Sequence, residues 1–96
     1  MNVDAVLGCE RDSVKRIAAR HGAGRVWVFG SAARGEATAQ SDLDLLVEGT
    51  GEPTPWFPGG LVDELERLLG RRVDVVERDA LREPLRQRVL REAVPL

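Results

Sequence analysis

Asp42 and Asp44 are the pair of residues whose types and spacing point most directly to chemistry. They lie in the segment S-D-L-D-L-L-V, whose apolar content predicts a β-strand from Asp42 to Val47. Because side chains alternate along a strand, both carboxylates point to one face, and Leu43 and Leu45 point to the other. Two adjacent aspartates repel each other, so the pairing favours a bound cation, and an all-oxygen anionic site suits Mg²⁺.

Gly30 and Ser31 form a second candidate group, directly after the apolar run R-V-W-V-F. That run predicts a buried strand from Arg25 to Phe29. A glycine lets the backbone approach a ligand closely, and a helical turn over Ser31–Arg34 offers free N–H groups, which is typical of phosphate binding. Arg34 lies one turn further on, where its planar guanidinium can donate to the same anion.

Asp74 is a third carboxylate, set among valines in a strand predicted from Arg72 to Glu77. A charged side chain in so apolar a strand needs a partner, which the acidic pair and its metal supply if the two strands are neighbours. Taken singly, each of these features is common in turns, polar strand faces and edge strands. Their joint occurrence, in this order, favours a site for a nucleoside triphosphate with Mg²⁺.

The remaining elements are those that must position these residues. Helical periodicity runs from Arg11 to His21, from Leu61 to Gly70, and from Pro84 onward. The proline- and glycine-rich loop before the second helix carries Trp56 and Phe57, which either fold back on the core or line a pocket, where they are candidates for stacking on a base. The predicted order is therefore helix, strand, turn, strand, helix, strand, helix.

Composition limits the class of protein. A chain of 96 residues, 43% hydrophobic and 31% charged, predicts one globular domain over residues 1–96. A net charge of −2 predicts no direct nucleic-acid binding, and the absence of a long apolar run predicts no membrane span. A lone Cys9 and no signal-peptide pattern predict a cytoplasmic protein. The arginines between Arg67 and Arg91 form either a solvated helix face or a docking surface for an acidic partner.

The order of these motifs resembles the minimal nucleotidyltransferases of the DNA polymerase β-like superfamily. Their signature is G-S, ten residues, then D-x-D, and here ten residues separate Ser31 from Asp42. The segments R-R-V-D-V-V at Arg71–Val76 and P-L-R-Q-R-V-L-R-E-A-V at Pro84–Val94 are similar to the family as well. The resemblance implies a small α/β (α+β) domain with a mixed sheet of three or four strands. Helices would pack mainly on one face, leaving the active site on the open face.

The resemblance also implies roles for individual residues. Gly30 and Ser31 would bind the triphosphate of ATP, and Asp42 and Asp44 would hold two Mg²⁺ ions. Asp74 would bind the metal nearer the acceptor and help to deprotonate the attacking hydroxyl. Two-metal chemistry of this kind drives an in-line displacement at the α-phosphate and expels pyrophosphate.

Small members of this family imply a biological context. They are commonly paired with a helical HEPN-domain toxin that has ribonuclease activity, and they neutralise it by binding it in a hetero-oligomer and adding AMP to one of its tyrosines. This chain has no tyrosine, so the acceptor would be the partner's. Two alternatives stay open: a catalytically silent nucleotide-binding module that neutralises its partner by stoichiometric contact, and a transferase acting on a small molecule or an RNA end.

Overall fold

The computed structural model describes residues 1–49 and 57–96. The helices and strands are α1 (Val3–Leu7), α2 (Arg11–Arg20), β1 (Ala23–Phe29), β2 (Leu43–Gly49), α3 (Gly59–Leu69), β3 (Val73–Glu77), α4 (Leu85–Glu92) and β4 (Val94–Pro95), with short 3₁₀ turns at Gly8–Glu10 and Arg78–Ala80. The predicted order of elements is found. The structure adds α1 and β4, which are too short to show a periodicity in the sequence. Trp56 lies outside the described residues.

Four strands form one mixed sheet in the order β3-β2-β1-β4. β1 runs antiparallel to both β2 and β4, whereas β2 and β3 are parallel and are joined through α3, as a parallel pair requires. The end of β1 therefore meets the beginnings of β2 and β3 at one edge of the sheet. The fold class predicted from the sequence, a small mixed sheet with packed helices, is confirmed.

One face of the sheet carries the main core. Alternate residues of β2 point into it, and Leu43 and Leu45 are completely buried. Three helices cover this face, and α3 contributes Leu61 and Leu65, which are also completely buried. Since α1, α2 and α3 all pack here, the prediction that helices lie mainly on one face is correct.

The opposite face is only partly open. Leu46 of β2 points to it and is completely buried, because Val89 of α4 and Leu81 pack there, together with Trp27 of β1. The family resemblance predicts an active site on an open face of the sheet, whereas α4 covers part of that face. The last turn of α4 is therefore brought towards the edge of the sheet where β1 ends.

No helix within residues 1–49 and 57–96 combines the length and the apolar character needed to cross a membrane.

Replacing a buried leucine of α3 tests the main core. Leu65→Ala removes side-chain contacts where no water can enter, and we expect it to lower the free energy of unfolding by about 2–5 kcal/mol. Leu85→Ala is the matched control, because Leu85 is 53% exposed and should cost far less. Urea unfolding followed by circular dichroism measures both values. Equal losses for the two variants would contradict this description of the core.

Candidate active site

Asp44 lies on the central strand β2, and one residue of each neighbouring strand is paired with it. In the register of the sheet, Asp44 pairs with Phe29 of β1 on one side and with Asp74 of β3 on the other. Residues paired in this way point to the same face, so two of the three predicted carboxylates are neighbours. Asp42 immediately precedes β2, is exposed, and lies on the same side as Asp44 by the alternation of the chain.

Asp42 and Asp74 are close enough to Asp44 to influence its ionisation. Partial burial raises the pKa of Asp44 above its ordinary value, and the negative charges of Asp74 and Asp42 raise it further. The positive charge of Arg34 acts in the opposite direction. The predicted set of Asp42, Asp44 and Asp74 is therefore brought together, with Arg34 beside it, and the site concentrates negative charge that a cation would relieve.

Gly30 ends β1 and lies directly against the carboxylate of Asp44. Its φ is +74°, and a Cβ added there would come within 2.2 Å of Asp44 Oδ2. A side chain at this position would have to displace the Asp44 carboxylate, and the positive φ also favours glycine. The sequence pattern predicts close approach of a ligand to this glycine, and in the structure the group that approaches it is the side chain of Asp44.

The turn after β1 is held by backbone hydrogen bonds. The N–H of Arg34 donates to the carbonyl of Gly30 at 3.2 Å, and the N–H of Glu36 donates to the carbonyl of Ser31 at 2.8 Å. This is the helical turn predicted over Ser31–Arg34. It places Ser31 next to Gly30 and returns Arg34 to the same edge of the sheet.

Arg34 has a carboxylate partner that the sequence analysis missed. Its guanidinium NH1 donates to Glu92 Oε2 at 3.0 Å, and its Nε lies 3.5 Å from Glu36 Oε1. The hydrogen bond to Glu92 raises the pKa of Arg34, so its charge is secure. Glu92 is the last residue of α4, and no local pattern in the sequence connects it with a turn so far back along the chain.

Arg71 fixes the segment between the turn and β2. Its NH1 donates to the carbonyls of Thr38 and Ser41, at 3.2 and 3.1 Å. Ser41 Oγ in turn accepts the N–H of Thr38 at 2.8 Å. The spacer that separates Ser31 from Asp42 is thereby tied to the residues just before β3, at the same end of the sheet as Asp74.

The carboxylates alone do not make a complete metal site. Among residues 1–49 and 57–96, no three His, Cys, Asp or Glu side chains are arranged so that they could hold a metal ion by themselves. Mg²⁺ is commonly bound by one or two carboxylates together with water and phosphate oxygens. The donor set therefore fits Mg²⁺ that arrives with a nucleotide.

Phe57 is not part of this arrangement. It packs against the main core and lines a cavity of about 220 Å³ with Glu48 and Arg78, at the opposite end of β2 from Asp44. About four residues of extended strand, roughly 13 Å, separate this cavity from the level of Asp44.

Comparison with known proteins agrees with the geometry. Residues 11–96 match the profile of the nucleotidyltransferase domain family. The chain belongs to this family. The protein adenylyltransferase MntA of Thermococcus cleftensis is 41% identical over 80 residues, which cover 83% of this chain and 81% of that protein. The predicted resemblance to nucleotidyltransferases is thereby confirmed.

Two solved structures have the same fold. One, assigned as a minimal nucleotidyltransferase, has 50% sequence identity and a TM-score of 0.84, covering all of this chain and 97% of its own. A toxin–antitoxin complex crystallised with AMP-PNP has 20% identity and a TM-score of 0.74, covering 88% of this chain and 69% of that one. At 20% identity, the similarity to the toxin–antitoxin complex is one of fold alone.

The packing of Asp44 on Gly30 generates a test with a matched control. Gly30 and Gly35 both have positive φ, at +74° and +77°, but a Cβ at Gly35 meets no atom within 4 Å. Each alanine variant loses about 1–2 kcal/mol of folding free energy because alanine disfavours a positive φ. Only Gly30→Ala also displaces the Asp44 side chain. We expect Gly30→Ala to lose at least about 1 kcal/mol more in urea unfolding. An equal loss would contradict the close contact.

The raised pKa of Asp44 predicts that its charge opposes folding. The folded chain holds the Asp44 proton more tightly than the unfolded chain does. The ionised carboxylate therefore lowers the free energy of unfolding fully above the folded pKa, and this loss disappears below the unfolded pKa, 3.8. Asp44→Asn should therefore unfold at higher urea concentration than the wild type at neutral pH, in metal-free buffer. The difference should shrink as the pH falls towards 3.8. An asparagine variant that is less stable at neutral pH would refute this reading.

Proposed function

We propose that this nucleotidyltransferase transfers AMP from Mg²⁺-bound ATP to a tyrosine hydroxyl of a HEPN-domain toxin and so acts as its antitoxin. The observation that carries the proposal is the position of Asp44, which has Asp74 beside it in the next strand and the Gly30 turn packed against its carboxylate. Acidic residues and a phosphate-binding turn at one edge of a sheet are the parts that nucleotidyl transfer needs. The relative named protein adenylyltransferase MntA supports the reaction class.

The turn after β1 binds the triphosphate in this proposal. Ser31 supplies a hydroxyl and a backbone N–H, and Arg34 supplies a charged, planar donor group that suits phosphate oxygens. Arg34 also keeps part of its surface for a ligand, because its side chain is 39% exposed despite its contacts with Glu92 and Glu36. Positive charge here partly offsets the repulsion between the triphosphate and the aspartates.

In this proposal Asp42 and Asp44 would hold two Mg²⁺ ions together with phosphate oxygens and water, and Asp74 would bind the ion nearer the acceptor. When bound, Mg²⁺ supplies charge neutralisation on the phosphate oxygens and lowers the pKa of the attacking hydroxyl. Asp74 is exposed at the beginning of β3, so it accepts the proton of an acceptor hydroxyl that approaches from solvent. The new bond joins the acceptor oxygen to the α-phosphorus, the bond to the β-phosphate oxygen breaks, and pyrophosphate leaves.

The acceptor belongs to another protein in this proposal. The chain contains no tyrosine, so it offers no tyrosine of its own as a substrate. A structure with the same fold is part of a toxin–antitoxin complex bound to AMP-PNP, which supports a toxin as the partner. An exposed Asp74 fits an acceptor delivered by a separate molecule, because nothing in the described chain covers this carboxylate fully.

Transfer of a labelled nucleotide tests the proposal. Purified chain is incubated with Mg²⁺, α-phosphate-labelled ATP and lysate of the source cell, and labelled proteins are identified by mass spectrometry. We expect one labelled band, a HEPN-domain protein modified on tyrosine. Asp42→Asn and Asp44→Asn should each reduce labelling at least about a hundredfold, because each removes a metal ligand.

Asp12→Asn is the matched control for these variants. Asp12 is an exposed aspartate in the first turn of α2, remote from the three site aspartates, and its amide variant should label the partner as well as the wild type does. Undiminished labelling by Asp44→Asn would refute the catalytic role of the aspartates. Label found in RNA or in a small molecule instead of protein would replace the proposed acceptor.

A further inference from the structure

Glu92 connects the end of α4 with the turn that follows β1. One oxygen, Oε1, accepts the backbone N–H of Gly30 at 3.1 Å, and the other, Oε2, accepts NH1 of Arg34 at 3.0 Å. The Glu92 side chain is only 19% exposed. A single carboxylate therefore engages the backbone and the guanidinium of the proposed phosphate-binding turn at the same time.

Glu92 places a further negative charge near the aspartates of the site. Glu92 is a fourth acidic group near Asp44, and its charge disfavours ionisation of that aspartate. Its charge is balanced by Arg34 and by the Gly30 N–H, two donors that together form a charge-assisted pair of hydrogen bonds. Exposed ion pairs contribute little to stability. The Glu92–Arg34 pair differs from them because Glu92 is mostly buried and also accepts a backbone N–H.

Glu92 is also held from both sides along the chain. Before it, Val89 anchors α4 on the sheet and is only 2% exposed. After it, Val94 of β4 pairs with Val28 of β1, the strand that leads to Gly30. The Glu92 carboxylate is thus attached to elements that are packed or paired on the sheet. A residue that orients another side chain, here Arg34, needs this kind of support.

We propose that Glu92 is a positioning residue, which fixes the Gly30 turn and holds the Arg34 guanidinium in the orientation that receives the triphosphate. The inference rests on the proposed function, which supplies the triphosphate as the ligand. A guanidinium carries five N–H donors. Glu92 engages one nitrogen of Arg34, so donors remain for phosphate oxygens. Holding the long arginine side chain in advance lowers the conformational entropy lost when the nucleotide binds.

The contrasting possibility is that Glu92 occupies the place of a phosphate and competes with the nucleotide. The two roles predict opposite changes when the charge is removed. Glu92→Gln keeps the shape of the side chain and an oxygen that can accept the Gly30 N–H, but loses the ionic contact with Arg34. Positioning predicts weaker nucleotide binding in this variant, whereas competition predicts tighter binding.

Equilibrium binding of Mg²⁺–ATP, measured by calorimetry, decides between them. We expect Glu92→Gln to raise the dissociation constant about tenfold, since residues that orient a ligand-binding group typically have effects of this size. Glu36→Gln is the matched control: Glu36 also faces Arg34, at 3.5 Å, but its side chain is 63% exposed and should matter less than about twofold. Unchanged or tighter binding by Glu92→Gln would overturn the inference.

A double-mutant cycle with Arg34 shows whether Glu92 affects nucleotide binding through the Arg34 side chain. If Glu92 acts through Arg34, Glu92→Gln has no further effect on the dissociation constant in an Arg34→Gln background. Equal effects in both backgrounds would mean that Glu92 serves only the general fold and would overturn the positioning role. Thermal unfolding of each variant shows that the folded state persists. A wild type that fails to bind Mg²⁺–ATP would overturn the proposed function itself, which separates the two failures.

Discussion

The contact between Asp44 and Gly30 is the constraint on which the proposed site depends. Asp44 lies in a central strand, where its carboxylate is partly removed from water and faces Asp74. There is space for it because Gly30, which follows the residue paired with Asp44, has no side chain, and a Cβ at Gly30 would overlap Asp44 Oδ2. Any change in the register of β1 against β2 would separate the proposed phosphate-binding turn from the acidic residues, so the geometry of the site depends directly on the pairing of these strands.

The site is maintained against its own electrostatic cost by the surrounding fold. Burial and three neighbouring carboxylates disfavour the charge on Asp44, and the unfolded chain does not impose this penalty. The free energy that offsets it comes from the opposite face of β2, where Leu43 and Leu45 are completely buried under the helices. Because side chains alternate along β2, its leucines stabilise the core on one face and Asp44 lies in the proposed site on the other. A bound cation would remove part of the repulsion, so ligand binding and stability are expected to be coupled.

Local patterns predicted the parts of the site that lie close together in sequence. Alternation along β2 placed Asp42 and Asp44 on one face, and the valines around Asp74 indicated a strand that needed a partner. Contacts made through tertiary structure were not predictable in this way. Glu92 and Arg71 reach the site from distant segments, and an arginine or glutamate on a helix usually faces solvent. The short β4 and the covering of the second sheet face by α4 likewise depend on packing, which periodicity does not encode.

The most direct test of the account is an NMR titration of the isotope-labelled chain with Mg²⁺ and a non-hydrolysable ATP analogue. The account predicts that the backbone amide signals of Gly30, Ser31, Asp44 and Asp74 shift together, and that Mg²⁺ alone produces much smaller changes, because the carboxylates need phosphate oxygens to complete the metal site. Shifts confined to the cavity beside Phe57, at the other end of β2, would contradict it.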